Sequence, residues 1–128
     1  MSGIIEYPYR IHVNVTMPII PITINNKIET YALVDSGASV SVFEADIIDA
    51  LNLKLETGKK RFLQGIGGRI LAYEHHILLK IADFEIRSNI AFSRELNVSL
   101  NILGQNNFFD HFIVIFQKSK NKIRLKKT

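Results

Sequence analysis

Leu33-Val34-Asp35-Ser36-Gly37-Ala38 is the stretch whose reading decides the fold. Tyr31 to Val34 is an apolar run that predicts a strand buried on both faces. The chain then passes directly into Asp, Ser and Gly, residues that each favour a turn. Taken alone, an Asp-Ser-Gly triplet is more often a turn than a reactive site, so its meaning depends on its surroundings.

Upstream, Tyr9, Ile11, Val13 and Val15 alternate with Arg10, His12 and Asn14, which predicts a half-buried strand over 9–15. Pro18 and Pro21 flank Ile19 and Ile20, and Ile22 and Ile24 lead into Asn25-Asn26, residues that tolerate the positive φ of a tight hairpin. The return arm, Ile28 to Val34, delivers the chain to Asp35.

Downstream, Glu44 to Leu51 joins early acidic residues to apolar Ile47, Ile48 and Leu51, the pattern of a short helix that Asn52 would end. Lys59-Lys60-Arg61 precedes Gln64-Gly65-Ile66-Gly67-Gly68, whose glycines suit a mobile hairpin tip with a strand on either side. Ile77 to Ile81, Phe84 to Ile90 and Val98 to Leu103 read as strands, with a turn near Ala82-Asp83. Gly104 breaks the last of these, and a helical turn over Gln105 to Phe112 precedes the strand Ile113 to Phe116 and an alternating tail, Lys122 to Lys126. With no internal repeat, linker or low-complexity segment, the expectation is one all-β domain over 1–128, a small closed or Greek-key barrel with one or two short helices.

At 128 residues, 47% apolar and 22% charged, the chain has ordinary globular composition. It has no cysteine, which excludes disulfides, thiolate metal sites and a cysteine nucleophile, and weakly favours a reducing compartment. The first ten residues have neither a basic start nor a long apolar run, so no signal peptide or membrane span is expected and cytoplasm is the default location. The net charge of +4 is concentrated between Lys118 and Lys127. Ile123 and Leu125 alternate with Lys122, Arg124 and Lys126, so this tail reads as an amphipathic strand before it reads as a nucleic-acid contact.

Three motifs in order resemble those of the retropepsin-like, or retroviral-type, aspartic peptidases. Leu33 to Ala38 resembles the catalytic signature, Gln64-Gly65-Ile66-Gly67-Gly68 the flap tip, and Asn101-Ile102-Leu103-Gly104 the second hallmark, an apolar pair and glycine that packs behind the catalytic loop. The resemblance covers about Tyr9 to Leu125 and implies a closed, mostly β fold with its active site at a subunit boundary. Viral members usually carry an acid after the Asp-Thr-Gly-Ala unit and an arginine after the late glycine; here Ser39 and Gln105 stand in those places. An arginine without its carboxylate would be left unpaired in a partly buried site, so the paired departure points to a cellular or prokaryotic relative.

The resemblance implies an aspartic endopeptidase needing no metal or cofactor. Such hydrolysis requires one group to take a proton from water and another to protonate the substrate carbonyl oxygen, and two adjacent carboxylates supply both. The chain holds one Asp-Ser/Thr-Gly unit, so a homodimer contributing Asp35 from each copy is expected, with Ser36, Gly37 and Ala38 as supports and residues 64–68 closing over a peptide substrate.

Other readings compete. A retropepsin-fold dimer could bind peptides without cleaving them efficiently. A structural or nucleic-acid-binding dimer would use Lys118 to Lys127. His75 and His76 are adjacent on an expected strand, face opposite ways and make a poor metal pair. Asp46, Asp49, Asp83, Glu85 and Asp110 show no spacing that singles out a glycosidase pair.

Overall fold

The computed structural model describes residues 3–65, 68–96 and 99–128. In chain order the strands are β1 (Ile4–Pro8), β2 (Arg10–His12), β3 (Val15–Met17), β4 (Ile19–Ile24), β5 (Ile28–Val34) and β6 (Val42–Glu44). A five-residue helix, α1 (Asp46–Ala50), precedes β7 (Lys59–Gly65), β8 (Gly68–Ile81), β9 (Phe84–Ser93), β10 (Asn101–Leu103), β11 (Phe112–Gln117) and β12 (Lys122–Lys127).

Six of these strands close a ring in the order β4-β5-β10-β6-β9-β8, and β8 returns to β4. The fold is therefore an all-β closed barrel. β7 hangs outside the ring as the partner of β8, and β1, β12 and β11 form a separate three-stranded sheet. The ring is mostly antiparallel, but β5 with β10 and β6 with β9 run parallel.

The turns follow from residue chemistry. Asn25 and Asn26 sit at φ 53° and 54°, with the Lys27 amide donating to Ile24 O at 3.0 Å, so β4 and β5 are joined by the expected tight hairpin, turning over residues 25–27. Asn52, at φ 60°, terminates the chain's turn away from α1. Inside the ring, Ile20, Ile24, Phe43, Ile48, Leu79, Ile90, Phe92 and Leu103 are fully buried. Their removal from water is the main favourable term in folding, about 1.5 to 3 kcal/mol for each large side chain.

Two expectations fail. Residues 9–15 are not one strand: Val13 and Asn14 adopt φ 49° and 64°, and the chain doubles back there as the β2–β3 hairpin, with Arg10 opposite Met17. Ile11 and Val13 are 75% and 80% exposed, so their alternation marks a ribbon standing off the core. The run Tyr31 to Val34 is buried on one face only, because Ala32 and Val34 point inward while Tyr31 is exposed.

The basic tail is a strand. β12 lies between β1 and β11, with Ile123 and Leu125 fully buried, and Lys122 and Arg124 lie 3.7 and 3.9 Å from the Glu6 carboxylate. Among the described residues, no helix is long and apolar enough to cross a membrane.

Candidate active site

The parallel pairing of β5 with β10 sets Val34 opposite Leu103, so Asp35 and Gly104 leave the barrel side by side. The Asp35 amide donates to Leu103 O at 2.9 Å, fixing the start of the loop to the strand beside it. The loop then turns on itself. The Gly37 amide donates to Asp35 Oδ1 at 2.9 Å and the Ala38 amide to Asp35 O at 3.2 Å. Asp35 is half-buried, while Ser36 and Gly37 are exposed. The carboxylate is thus oriented from behind and open in front.

Gly104 shows why an apolar pair followed by glycine belongs here. A Cβ at this position would stand 2.5 Å from Val40 O and 2.7 Å from Ala38 O, closer than backbone atoms permit. The next two residues hold the loop by its carbonyls: the Gln105 amide donates to Ala38 O at 2.8 Å and the Asn106 amide to Ser39 O at 3.0 Å. Gln105 Nε2 also donates to Ser36 O at 2.7 Å. The residue standing in place of the viral arginine therefore braces the loop as a neutral donor, needing no neighbouring carboxylate.

Two buried polar side chains complete the support, and sequence reasoning missed both. Ser41, fully buried, accepts from the Gly104 amide at 3.0 Å and donates to Asn106 O at 3.0 Å. Asn101 is 2% exposed; its Oδ1 accepts from the Glu44 amide at 2.8 Å and its Nδ2 donates to Tyr31 O at 2.9 Å, stitching β10 to the strands on both sides. Ser41 stands outside all three motifs, and Asn101, though it opens the late-glycine stretch, has no role assigned there, since each is a lone polar residue beside apolar neighbours. Only the pairing of β10 between β5 and β6 gives them partners.

The second element is the β7–β8 hairpin, in register from Lys59 opposite Glu74 to Gly65 opposite Gly68. Gln64, Gly65 and Gly68 lie on it, Gly68 at φ 111°; the expected tip residues Ile66 and Gly67 lie outside the described residues, as does Val98 of the expected strand Val98 to Leu103, of which Asn101–Leu103 forms β10. An ion pair between Arg61 and Glu74 spans the two strands, and the Arg69 guanidinium lies 4.0 Å from the Phe62 ring centroid. At the hairpin base, Leu71 is gripped from the end of β9. Its amide donates to Glu95 Oε1 at 3.0 Å, its carbonyl accepts from Ser93 Oγ at 2.6 Å, and that Oγ accepts from the Glu95 amide at 3.0 Å.

A cleft of about 410 Å³ separates hairpin and loop. Asp35, Gly37, Ala38 and Ser39 line one side and Gln64, Gly65 and Gly68 another. Val42, Leu63, Ile70, Leu96 and Ile102 supply an apolar floor. All three sequence motifs thus meet around one space: Ile102 faces the cleft, Leu103 is buried in the core and Gly104 backs the loop. Among the described residues lining it, only Asp35 and Glu95 carry charge. A carboxylate beside an apolar space can act on a polar bond within an otherwise apolar ligand.

The histidines lie elsewhere in structural roles. His75 Nε2 is 2.8 Å from Leu55 O, and His76 Nδ1 is 3.0 Å from Asn89 Oδ1. Among the described residues, no group of three or more His, Asp or Glu side chains is placed to hold a metal ion.

The profile of the family described as gag-polyprotein putative aspartyl protease matches residues 20–110, a span running from β4 past Gly104. No curated protein matches the chain significantly. Among solved structures, EIAV protease complexed with the inhibitor HBY-793 is similar, with a TM-score of 0.61 and 20% identity over 79% of this chain and 93% of that one. At that identity the likeness is one of fold.

Proposed function

Because the chain belongs to the gag-polyprotein family of retropepsin-like aspartyl proteases, we propose that it is an aspartic endopeptidase, active as a homodimer in which Asp35 of each copy forms one half of a catalytic pair. The observation that carries this reading is the cleft itself, which joins the Asp35 loop to the glycine hairpin over an apolar floor. One chain brings one Asp-Ser-Gly unit to it, and two-fold pairing supplies the second.

In the paired site, two carboxylates about 3 Å apart cannot both ionise, so they hold one shared proton. The ionised Asp35 takes a proton from a water lying between them as its oxygen attacks the scissile carbonyl carbon. The protonated Asp35 gives its proton to the carbonyl oxygen, producing a neutral tetrahedral diol. Return of a proton to the amide nitrogen then lets the carbon–nitrogen bond break, leaving a carboxylic acid, an amine and the pair with one proton again. The two apparent titrations belong to the pair and not to either copy.

The chain's other residues divide the remaining work. The Gly37 amide orients the carboxylate, and Gln105, Ser41 and Gly104 keep the loop from drifting. Ser36, exposed in the single chain, is available to bond across to the partner's loop. The β7–β8 hairpin serves as the flap that covers an extended substrate and excludes water. Leu63, Ile70 and Ile102 offer apolar surface to the side chains, or the side-chain stems, near the cut.

Asp35→Asn is the decisive variant, because it keeps the size of the side chain and removes the base. Wild type and Asp35→Asn are compared on a peptide library, with sedimentation confirming that both are dimeric. The expected loss in kcat/KM is about 10³-fold or more. Equal cleavage by the two proteins would remove the peptidase assignment, and peptide binding without cleavage by wild type would make the protein a binding module.

A further inference from the structure

Glu95 is the one charged side chain of the cleft that the proposed chemistry leaves unused. It sits just beyond β9, among the apolar groups Leu63, Ile70 and Leu96. Its position is fixed twice: the backbone amide donates to Ser93 Oγ at 3.0 Å, and Oε1 accepts from the Leu71 amide at 3.0 Å. Among the described residues, Oε2 has no hydrogen-bond partner and Glu95 forms no ion pair. Of the basic side chains close to it in sequence or on the hairpin, Arg94 is engaged with Asp49, Arg61 with Glu74 and Arg69 on the Phe62 ring.

From this geometry we infer that Glu95 selects substrates, and that the cleft takes peptides carrying a lysine or arginine side chain near the scissile bond. The inference rests on the peptidase reading of the cleft. A long cationic side chain can lay its methylene stem over Leu63, Ile70 and Leu96 and bring its charge to Oε2. A carboxylate already tethered by a backbone amide gives up little freedom on pairing, and low-dielectric walls strengthen its pull relative to open water. In a two-fold dimer the same residue recurs on the far side of the cut, so basic residues are favoured on both sides of it.

The test uses two peptides that differ only in lysine or norleucine at each position flanking the cut. For wild type, kcat/KM is expected to favour lysine by about fivefold or more, the factor given by one exposed ion pair at its upper range. The ratio should fall toward one as salt is raised, a readout that needs no variant. Glu95→Gln keeps an oxygen for the Leu71 amide and should bring the ratio close to one, while Glu95→Lys should invert it. Equal cleavage of both peptides by wild type, or a lysine preference that survives in Glu95→Gln, overturns the inference.

Binding of the same fluorescently labelled peptides to Asp35→Asn separates this inference from the one beneath it. A lysine preference in binding, without turnover by wild type, sinks the peptidase reading and leaves the role of Glu95 standing. Turnover with no preference in either assay does the opposite.

Discussion

A methyl group on Gly104 would have to share space with two backbone carbonyls, and neither can swing aside as a side-chain tip could, because each is hydrogen-bonded or part of the Asp35 loop. Gly104→Ala is therefore expected to destabilise the protein by about 1 to 3 kcal/mol, the usual cost of overpacking, and to lower turnover by shifting the loop. Urea unfolding reads the first effect and kcat the second; an unchanged midpoint would mean that the close approach is not fixed by the fold. At this scale Asp35, Gly37 and Gly104 are legible in the sequence, because each has a chemistry or a geometry that few residues share. Ser41 and Asn101 are not, because a buried hydroxyl or amide is acceptable only once its partners are known, and those partners lie up to 70 residues away in the chain.

Among the elements, the β2–β3 hairpin carries the least favourable turn. Val13 at φ 49° is a β-branched residue in the left-handed region, where its branch crowds the backbone. Its neighbour across the turn is asparagine, which accepts that region, as Asn25 and Asn26 do between β4 and β5. Val13→Asn should raise stability by about 1 kcal/mol, seen as a higher urea midpoint with an unchanged slope, since the side chain it replaces is already 80% exposed. The comparison explains why one hairpin was readable and the other was not. Asn25-Asn26 interrupts the apolar alternation, whereas Val13 continues it, and alternation reports which way side chains point, not whether anything packs against them.

A second element-scale test concerns α1, which is tied to the residue following β9 by the paired contacts of Arg94 with Asp49, both at 3.0 Å. The Arg94 hydrogen bonds hold the Asp49 carboxyl below its ordinary range. A depressed folded value stabilises the protein above the ordinary carboxyl range, near about pH 4, and the benefit is lost as pH falls through the folded value. Arg94→Gln should be slightly less stable than wild type near neutrality, with the gap closing in acid, and Asp49 should titrate higher by NMR. Both groups are half exposed, so a small effect is expected.

For the whole molecule, the closed ring was legible as a class and its connectivity was not. Short β runs with turn signals between them indicate a barrel, but nothing local says that β10 inserts parallel to β5 or that β6 runs parallel to β9. The first of these pairings places Gly104 beside Asp35, so the resemblance of three motifs carried what periodicity could not. If each cleft is completed by a second copy, specific activity should fall on dilution, approaching a second-order dependence on protein concentration below the dimer dissociation constant. Activity strictly proportional to concentration down to full dissociation, as followed by sedimentation, would mean that one copy suffices.

The ring itself is joined unevenly. Between β4 and β8 the ladder has two rungs, Thr23 with Lys80 and Ile24 with Leu79, extended by the Asn25 amide on Leu78 O and the Leu78 amide on Asn25 Oδ1. The seven residues of β5 separate this seam from Asp35, a distance of roughly 20 Å. The thinnest seam of the ring lies instead beside the reactive loop, where β10 meets β6 by the single rung of Ile102 with Val42. Side chains make up the shortfall there, Asn101 Oδ1 taking the Glu44 amide at one end and Ser41 Oγ the Gly104 amide at the other, so the rim that carries the carboxylate is riveted where its ladder is sparsest.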